Sequence, residues 1–160
     1  MNKLPITIYE TTRRWQGTLC RALPETRFTI KTAPIEELKL SFSTSGRGLV
    51  VIELNEENQD TIFSLCAGFA ATHPLCKIVI CLSLEIAAQY EQEQIFGSEQ
   101  EHSQRENLEQ LCYEVGALAV LDSTFEVNEI VEIAMRMSRD PRYLESTEND
   151  PAAMYLKQFA

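Results

Sequence analysis

The sequence predicts an α/β fold, a doubly wound parallel sheet with helices on both faces. Three observations lead there. Short β-branched or continuously apolar runs alternate with helical stripes along most of the 160 residues. Residues 49–54 (LVVIEL) and 77–82 (KIVICL) are apolar almost without interruption, a pattern that suits strands covered on both faces in the middle of a parallel sheet. The count is five strands interleaved with five helices, in a chain whose 44% hydrophobic content is enough for one core and too little for two comfortable ones.

Each element has its own signal. Residues 5–9 (PITIY) are short, β-branched and bounded by a proline, and read as the first strand. Trp15, Leu19, Ala22 and Leu23 recur at helical spacing before Pro24, predicting a helix of about three turns. Residues 27–31 (RFTIK) alternate polar and apolar, the mark of a strand with one wetter face near a sheet edge. Ile35, Leu38 and Leu40 fit a short helix, and Gly48 opens the third strand. Ile62, Leu65, Cys66 and Phe69 give the next helical stripe, ending at His73-Pro74. Leu108, Leu111, Cys112 and Val115 give another, with Ser103 and Glu106 spaced as a capping box at its start. Residues 118–121 are the last strand. Val127, Ile130, Val131, Ala134 and Met137 form the final amphipathic helix, with Ser123 and Glu126 as its capping box.

Two segments exceed this pattern. Residues 84–102 (LEIAAQYEQEQIFGSEQEH) are rich in Glu and Gln. Their 86–96 part suits a helix and 97–102 a solvated loop, so the segment is either a partner-binding elaboration or a surface insertion, which costs little in closure entropy. Residues 140–160 carry two Asp-Pro steps and acidic filler, and read as a tail leaving a domain of 1–139. Its Met154, Tyr155, Leu156 and Phe159 suit a short docking helix or a contact with another chain.

Composition excludes several functions. With 24 acidic residues against 14 basic, the net charge is −10, which repels phosphate backbones and anionic membranes alike. No run approaches the roughly 20 apolar residues of a membrane helix. The opening residues MNKLPITIYETTRRW lack the pattern of a signal peptide, and a cytoplasmic location is expected. Cys20, Cys66, Cys76, Cys81 and Cys112 show no C-x-x-C spacing, and read as small buried hydrophobes in a reducing compartment. No glycine-rich phosphate loop or G-x-S-x-G elbow is present. His73 and His102 lie away from any strand's carboxyl end and read as surface residues.

Residues 116–125 (GALAVLDSTF) resemble the segment of response-regulator receiver domains written G-A-x-x-x-L-x-K-P-F, with Gly116, Ala117, Leu121 and Phe125 in register. Residues 48–55 (GLVVIELN) resemble the family's D-L-V-L-L-D-L-x. The resemblance covers most of residues 5–139, and it implies a flavodoxin-like sheet in the order 2-1-3-4-5. It also implies a pocket at the carboxyl ends of the strands, where several family residues are replaced. Tyr9-Glu10 stand where receivers have two acidic metal ligands. Glu53 stands at the phosphoacceptor aspartate, Asn55 at the residue whose carbonyl ligates the metal, and Ser83 at the hydroxyl, or Leu82 if the register is one off. Ser123 replaces the lysine, Thr124 the proline, and Val120 the switch aromatic.

Phosphoryl transfer depends on positioning and charge neutralisation. Glu53 carries its carboxylate one methylene further than aspartate and has no lysine beside it. The resemblance therefore implies a pseudo-receiver, a signalling or adaptor module that is not an enzyme, undergoes no aspartyl phosphorylation and acts through protein contacts. No cofactor is expected. Glu10, Glu53 and Asn55 are weak candidates for Mg²⁺. Glu53 reads either as a mimic of a phosphorylated aspartate or as a structural carboxylate. In the family, the fourth helix, fifth strand and fifth helix dock partners; here that face holds Asn107, Glu114, Val120, Glu129 and Arg136. The expected partner is a protein (a kinase, a regulator or a second copy in a homodimer), with neither nucleic acid nor membrane. Two alternatives stand beside this one. The first is a degenerate site, in which Glu10, Glu53, Asp122 and the Asn55 carbonyl hold a divalent cation or small ligand. The second is a flavodoxin-like enzyme of another kind.

Overall fold

Every apolar run named above is a strand in the computed structural model, which describes residues 2–37, 47–89 and 99–144, without the side chains of 70, 71 and 99–104. The strands are β1 (Leu4–Tyr9), β2 (Phe28–Ala33), β3 (Gly48–Leu54), β4 (Cys76–Leu82) and β5 (Ala117–Leu121). The helices are α1 (Arg14–Ala22), α2 (Gln59–Thr72), α3 (Glu99–Glu114) and α4 (Val127–Ser138), with a further helical stretch at 84–89. All strand pairs are parallel, and the sheet order is β2-β1-β3-β4-β5. This is the flavodoxin-like arrangement, with the amphipathic 27–31 run at the edge as β2 and the doubly apolar β3 at the centre, buried at all seven positions.

The sheet's pleat sorts the core into two layers. Tyr9, Val50, Ile52, Leu54, Ile80 and Leu82 pack under α2 and α3 with Ile62, Cys66, Phe69, Leu108 and Cys112. Ile6, Ile8, Leu49, Val51, Cys81 and Leu121 pack under α1 and α4 with Trp15, Leu19, Ile130 and Ala134. Cys66, Cys76, Cys81 and Cys112 are buried free thiols; Cys20 is exposed and free. Burial pushes Cys66, Cys76 and Cys112 up to about 12, and Cys81 well above the usual thiol range, so none of the four is a ready nucleophile. No helix among the described residues is long and apolar enough to cross a membrane.

Several expectations change. The short helix at Ile35 is a 3₁₀ turn over Ile35–Glu37; Leu38 and Leu40 lie outside the described residues. Helix α3 begins at least as early as Glu99, so Ser103 and Glu106 lie in its interior and are no N-terminal capping box. The residues 99–102 expected in a loop belong to this helix. Glu and Gln are good helix formers, and they extend it past the point where apolar periodicity gives a signal. The boundary drawn at 139 falls within packed structure. Asp140 caps a 3₁₀ turn at Pro141–Tyr143, Tyr143 and Leu144 pack on the α1/α4 layer, and Arg47 Nη1 donates to the Leu144 carbonyl at 3.2 Å. Residues 90–98 and Met154, Tyr155, Leu156 and Phe159 lie outside the described residues.

Candidate functional site at the strand carboxyl ends

Parallel strands deliver their carboxyl ends to one edge of the sheet, and four of the five are followed here by a side chain that accepts from a backbone amide just downstream. After β1, Glu10 turns toward α1. Its Oε2 accepts from the Trp15 N–H and its Oε1 from the Gln16 N–H, both at 2.9 Å. These are two of the orphan amides of the helix's first turn, where a carboxylate also suits the macrodipole. The chain reaches this arrangement through Arg13, a non-glycine residue at φ 54°. Tyr9, in place of the family's other carboxylate, is 1% exposed and belongs to the opposite core layer.

After β3, Asn55 and Asn58 cap each other. The Asn55 N–H donates to Asn58 Oδ1 and the Asn58 N–H to Asn55 Oδ1, each at 2.8 Å, while Asn58 Nδ2 donates to the Glu53 carbonyl at 3.1 Å. After β4, Ser83 is 3% exposed, and its Oγ accepts from the Ile86 N–H at 3.3 Å at the start of the 84–89 helix. Leu82 is the last residue of β4, so Ser83 is the hydroxyl beyond the strand. After β5, Ser123 Oγ accepts from the Phe125 N–H at 3.2 Å and caps the Thr124–Glu126 turn that leads into α4. The serine half of the expected capping box is therefore present one short turn ahead of the helix.

Glu53 is the exception, because it caps nothing. It is 4% exposed, and its Oε1 accepts from Thr11 Oγ1 at 2.7 Å and the Thr11 N–H at 3.4 Å. Its Oε2 accepts from Thr12 Oγ1 at 3.4 Å. The carboxylate thus holds the β1–α1 loop down on the end of β3. Sequence reading missed both threonines, and it also missed Arg14, whose Nη2 donates to the Leu82 carbonyl at 3.1 Å. Their signal was local: a Thr-Thr-Arg-Arg run directly after an acidic residue at a strand's end reads as surface charge until the fold places it.

A cleft of about 450 Å³ opens beside Glu53, lined by Thr11, Thr12, Asn55, Glu56, Glu57, Ser83, Leu84 and Glu85. Four of its nine lining residues are glutamates and none is basic, so its field repels phosphorylated donors. Asp122 is drawn away from this group into an ion pair with Arg105 of α3, and Arg105 also lies 3.9 Å from Glu109. Glu126, at the foot of α4, is held above the usual carboxylate range by partial burial and by Glu129, with Arg105 opposing.

The resemblance to receivers implies Mg²⁺, and the donor set does not fit it as arranged. Both Glu10 oxygens face amides, both Glu53 oxygens face Thr11 and Thr12, and Asp122 Oδ2 faces Arg105, so that of the three carboxylates a single buried oxygen, Asp122 Oδ1, has no partner among the described residues. Among the described residues, no group of three or more His, Cys, Asp or Glu side chains converges as a metal centre requires. His73 stacks on Phe69 at 4.5 Å and contacts Thr72 at the end of α2, away from the strand ends; the His102 side chain lies outside the described residues.

On the expected partner face, Asn107, Glu114, Glu129 and Arg136 are exposed. Val120 is not: it is 7% exposed and packs in the α2/α3 layer. The register between β4 and β5 slips at Ile78/Val79, where Ala117 and Ala119 take successive partners, and this bulge leaves Leu118 as the strand's exposed residue at 48%. Leu111 and Tyr113 of α3 and Phe125 after β5 are also exposed.

No family model matches the sequence, and no curated protein does. Among solved structures, the chain is similar to a response regulator from Thermotoga maritima, at 12% identity and a TM-score of 0.60, over 86% of this chain and 99% of that one. The similarity establishes that the chain has the fold of a response-regulator receiver.

Proposed function

We propose that the chain is a pseudo-receiver: a signalling or adaptor module that works through protein contacts and accepts no phosphoryl group. One observation carries this reading. The side chains just beyond β1, β3, β4 and β5 are taken up by backbone amides of the turns and helices that follow, through Glu10, Asn55, Ser83 and Ser123. Phosphoryl transfer needs such groups free to hold metal and oxyanion. Glu53, fixed by Thr11 and Thr12 beside an acidic cleft, acts here as a structural carboxylate. The module's working surface is then the α3–β5–α4 face, where exposed Leu111 and Leu118 lie among Asn107, Glu114, Glu129 and Arg136. Such a mixture of apolar and charged groups suits a protein partner.

Incubation with acetyl phosphate and magnesium, read by intact mass, tests this. The wild type and Glu53→Asp are both expected to keep their mass, because shortening the acceptor restores neither a lysine nor a free metal ligand. A gain of one phosphoryl group by the wild type, lost in Glu53→Ala, would overturn the proposal.

A further inference from the structure

The strand ends hold two buried carboxylates, Glu10 at 8% and Glu53 at 4% exposure, on separate cavities, and their hydrogen bonds all come from uncharged donors. None of the ion pairs among the described residues includes either of them. Buried carboxylates call for a compensating charge nearby, and receivers supply it with a metal ion and a lysine. We infer that Arg14 is the resident cation of these strand ends and stands in for both, which makes a divalent ion redundant. The inference rests on the proposed function and deepens it.

The geometry places the guanidinium over the ends of the central strands. Arg14 Nη2 is bound to the Leu82 carbonyl at the end of β4, and the next residue, Ser83, donates its N–H to the Leu54 carbonyl at 2.8 Å. Glu53 immediately precedes Leu54 and is in register with Cys81. Among the charges acting on the buried Cys81 thiol, Arg14 is the largest and the only cation, opposed by Glu10, Glu53 and Glu126. The guanidinium also lies 5.7 Å from the ring centroid of Trp15, a fully buried residue, which fixes its plane. Arg14 is half-buried, and its Nε is buried without a partner among the described residues. Arginine suits the role because it keeps its charge even where it is partly desolvated, whereas a lysine loses its charge more readily.

Calorimetric titration of the full chain with magnesium chloride tests the inference, with amide spectra as a second readout. The wild type is expected to give no heat beyond dilution. Arg14→Gln removes the charge and is expected to bind magnesium at least about tenfold more tightly than the wild type, with shifts centred on Glu10 and Glu53. Arg14→Lys keeps a charge and is expected to stay silent. If Arg14→Gln unfolds, magnesium chloride should restore its fold where sodium chloride of equal ionic strength does not. Magnesium binding by the wild type through Glu53 overturns the inference. So does an Arg14→Gln protein as silent as the wild type, an Arg14→Lys protein that responds like Arg14→Gln, or equal rescue by the two salts. Wild-type magnesium binding without phosphoryl uptake would remove Arg14's role and leave the proposed function in place, whereas phosphoryl uptake would remove the proposed function itself.

Discussion

Glu10 illustrates how the neighbouring backbone sets the role of a side chain. It occupies a position that resembles a metal ligand, yet its two oxygens close the first turn of α1 at 2.9 Å each. A carboxylate can do either job, and the neighbouring backbone decides which. Arg13 at φ 54° turns the chain so that the Trp15 and Gln16 amides face the carboxylate. Glu10→Ala would leave those amides without their partner, and it is expected to cost about 1–2 kcal/mol. Chemical denaturation should show this as a lower midpoint with an unchanged m-value. The resemblance set Glu10 and Glu53 at the ends of β1 and β3, and the structure has them at those ends. The resemblance could not show the caps, because a cap depends on the dihedral angles of the next few residues, and these leave no periodic trace in sequence.

At the scale of elements, strands were the most legible part of the chain. β3 and β4 announce themselves because a strand covered on both faces has to be apolar throughout, and the edge strand β2 because one face stays wetter. Helix ends were less legible, as α3 shows by extending into an acidic, Gln-rich stretch with no apolar stripe. The bulge in β5 was invisible for a related reason. A one-residue slip exchanges the faces of a strand, so the resemblance that put Val120 on the partner face missed that the structure buries it and exposes Leu118. The entry to β3 has a sharper constraint. Gly48 sits at φ 111°, and a Cβ there would lie 2.4 Å from the Pro5 carbonyl oxygen of β1. Gly48→Ala therefore forces the central strand pair apart while straining its own backbone, and a loss of about 2–3 kcal/mol in thermal or chemical unfolding is expected. A retained unfolding midpoint would mean that β1 and β3 approach less closely than described.

On the scale of the whole molecule, the fold and the pocket address were readable, and the pocket's state was not. The strand order follows from local patterns plus the resemblance of residues 116–125, because right-handed crossovers leave few ways to stack five parallel strands. The same pattern located the strand-end pocket, since in such sheets it forms where the order reverses. What the sequence withheld was long-range: Thr11 and Thr12 meet Glu53 across 42 and 41 residues, and Arg14 meets Leu82 across 68. These contacts fasten the strand ends internally, and under the proposed function they leave the surface to do the molecule's work. The central claim is that the strand ends hold the structure together and take up no reagent. It is tested most directly by following the backbone amides of Glu10, Glu53, Ser83 and Ser123 while magnesium and then acetyl phosphate are added. Unmoved resonances at all four positions are the expected result; concerted shifts at Glu53 and Ser123 would contradict the account.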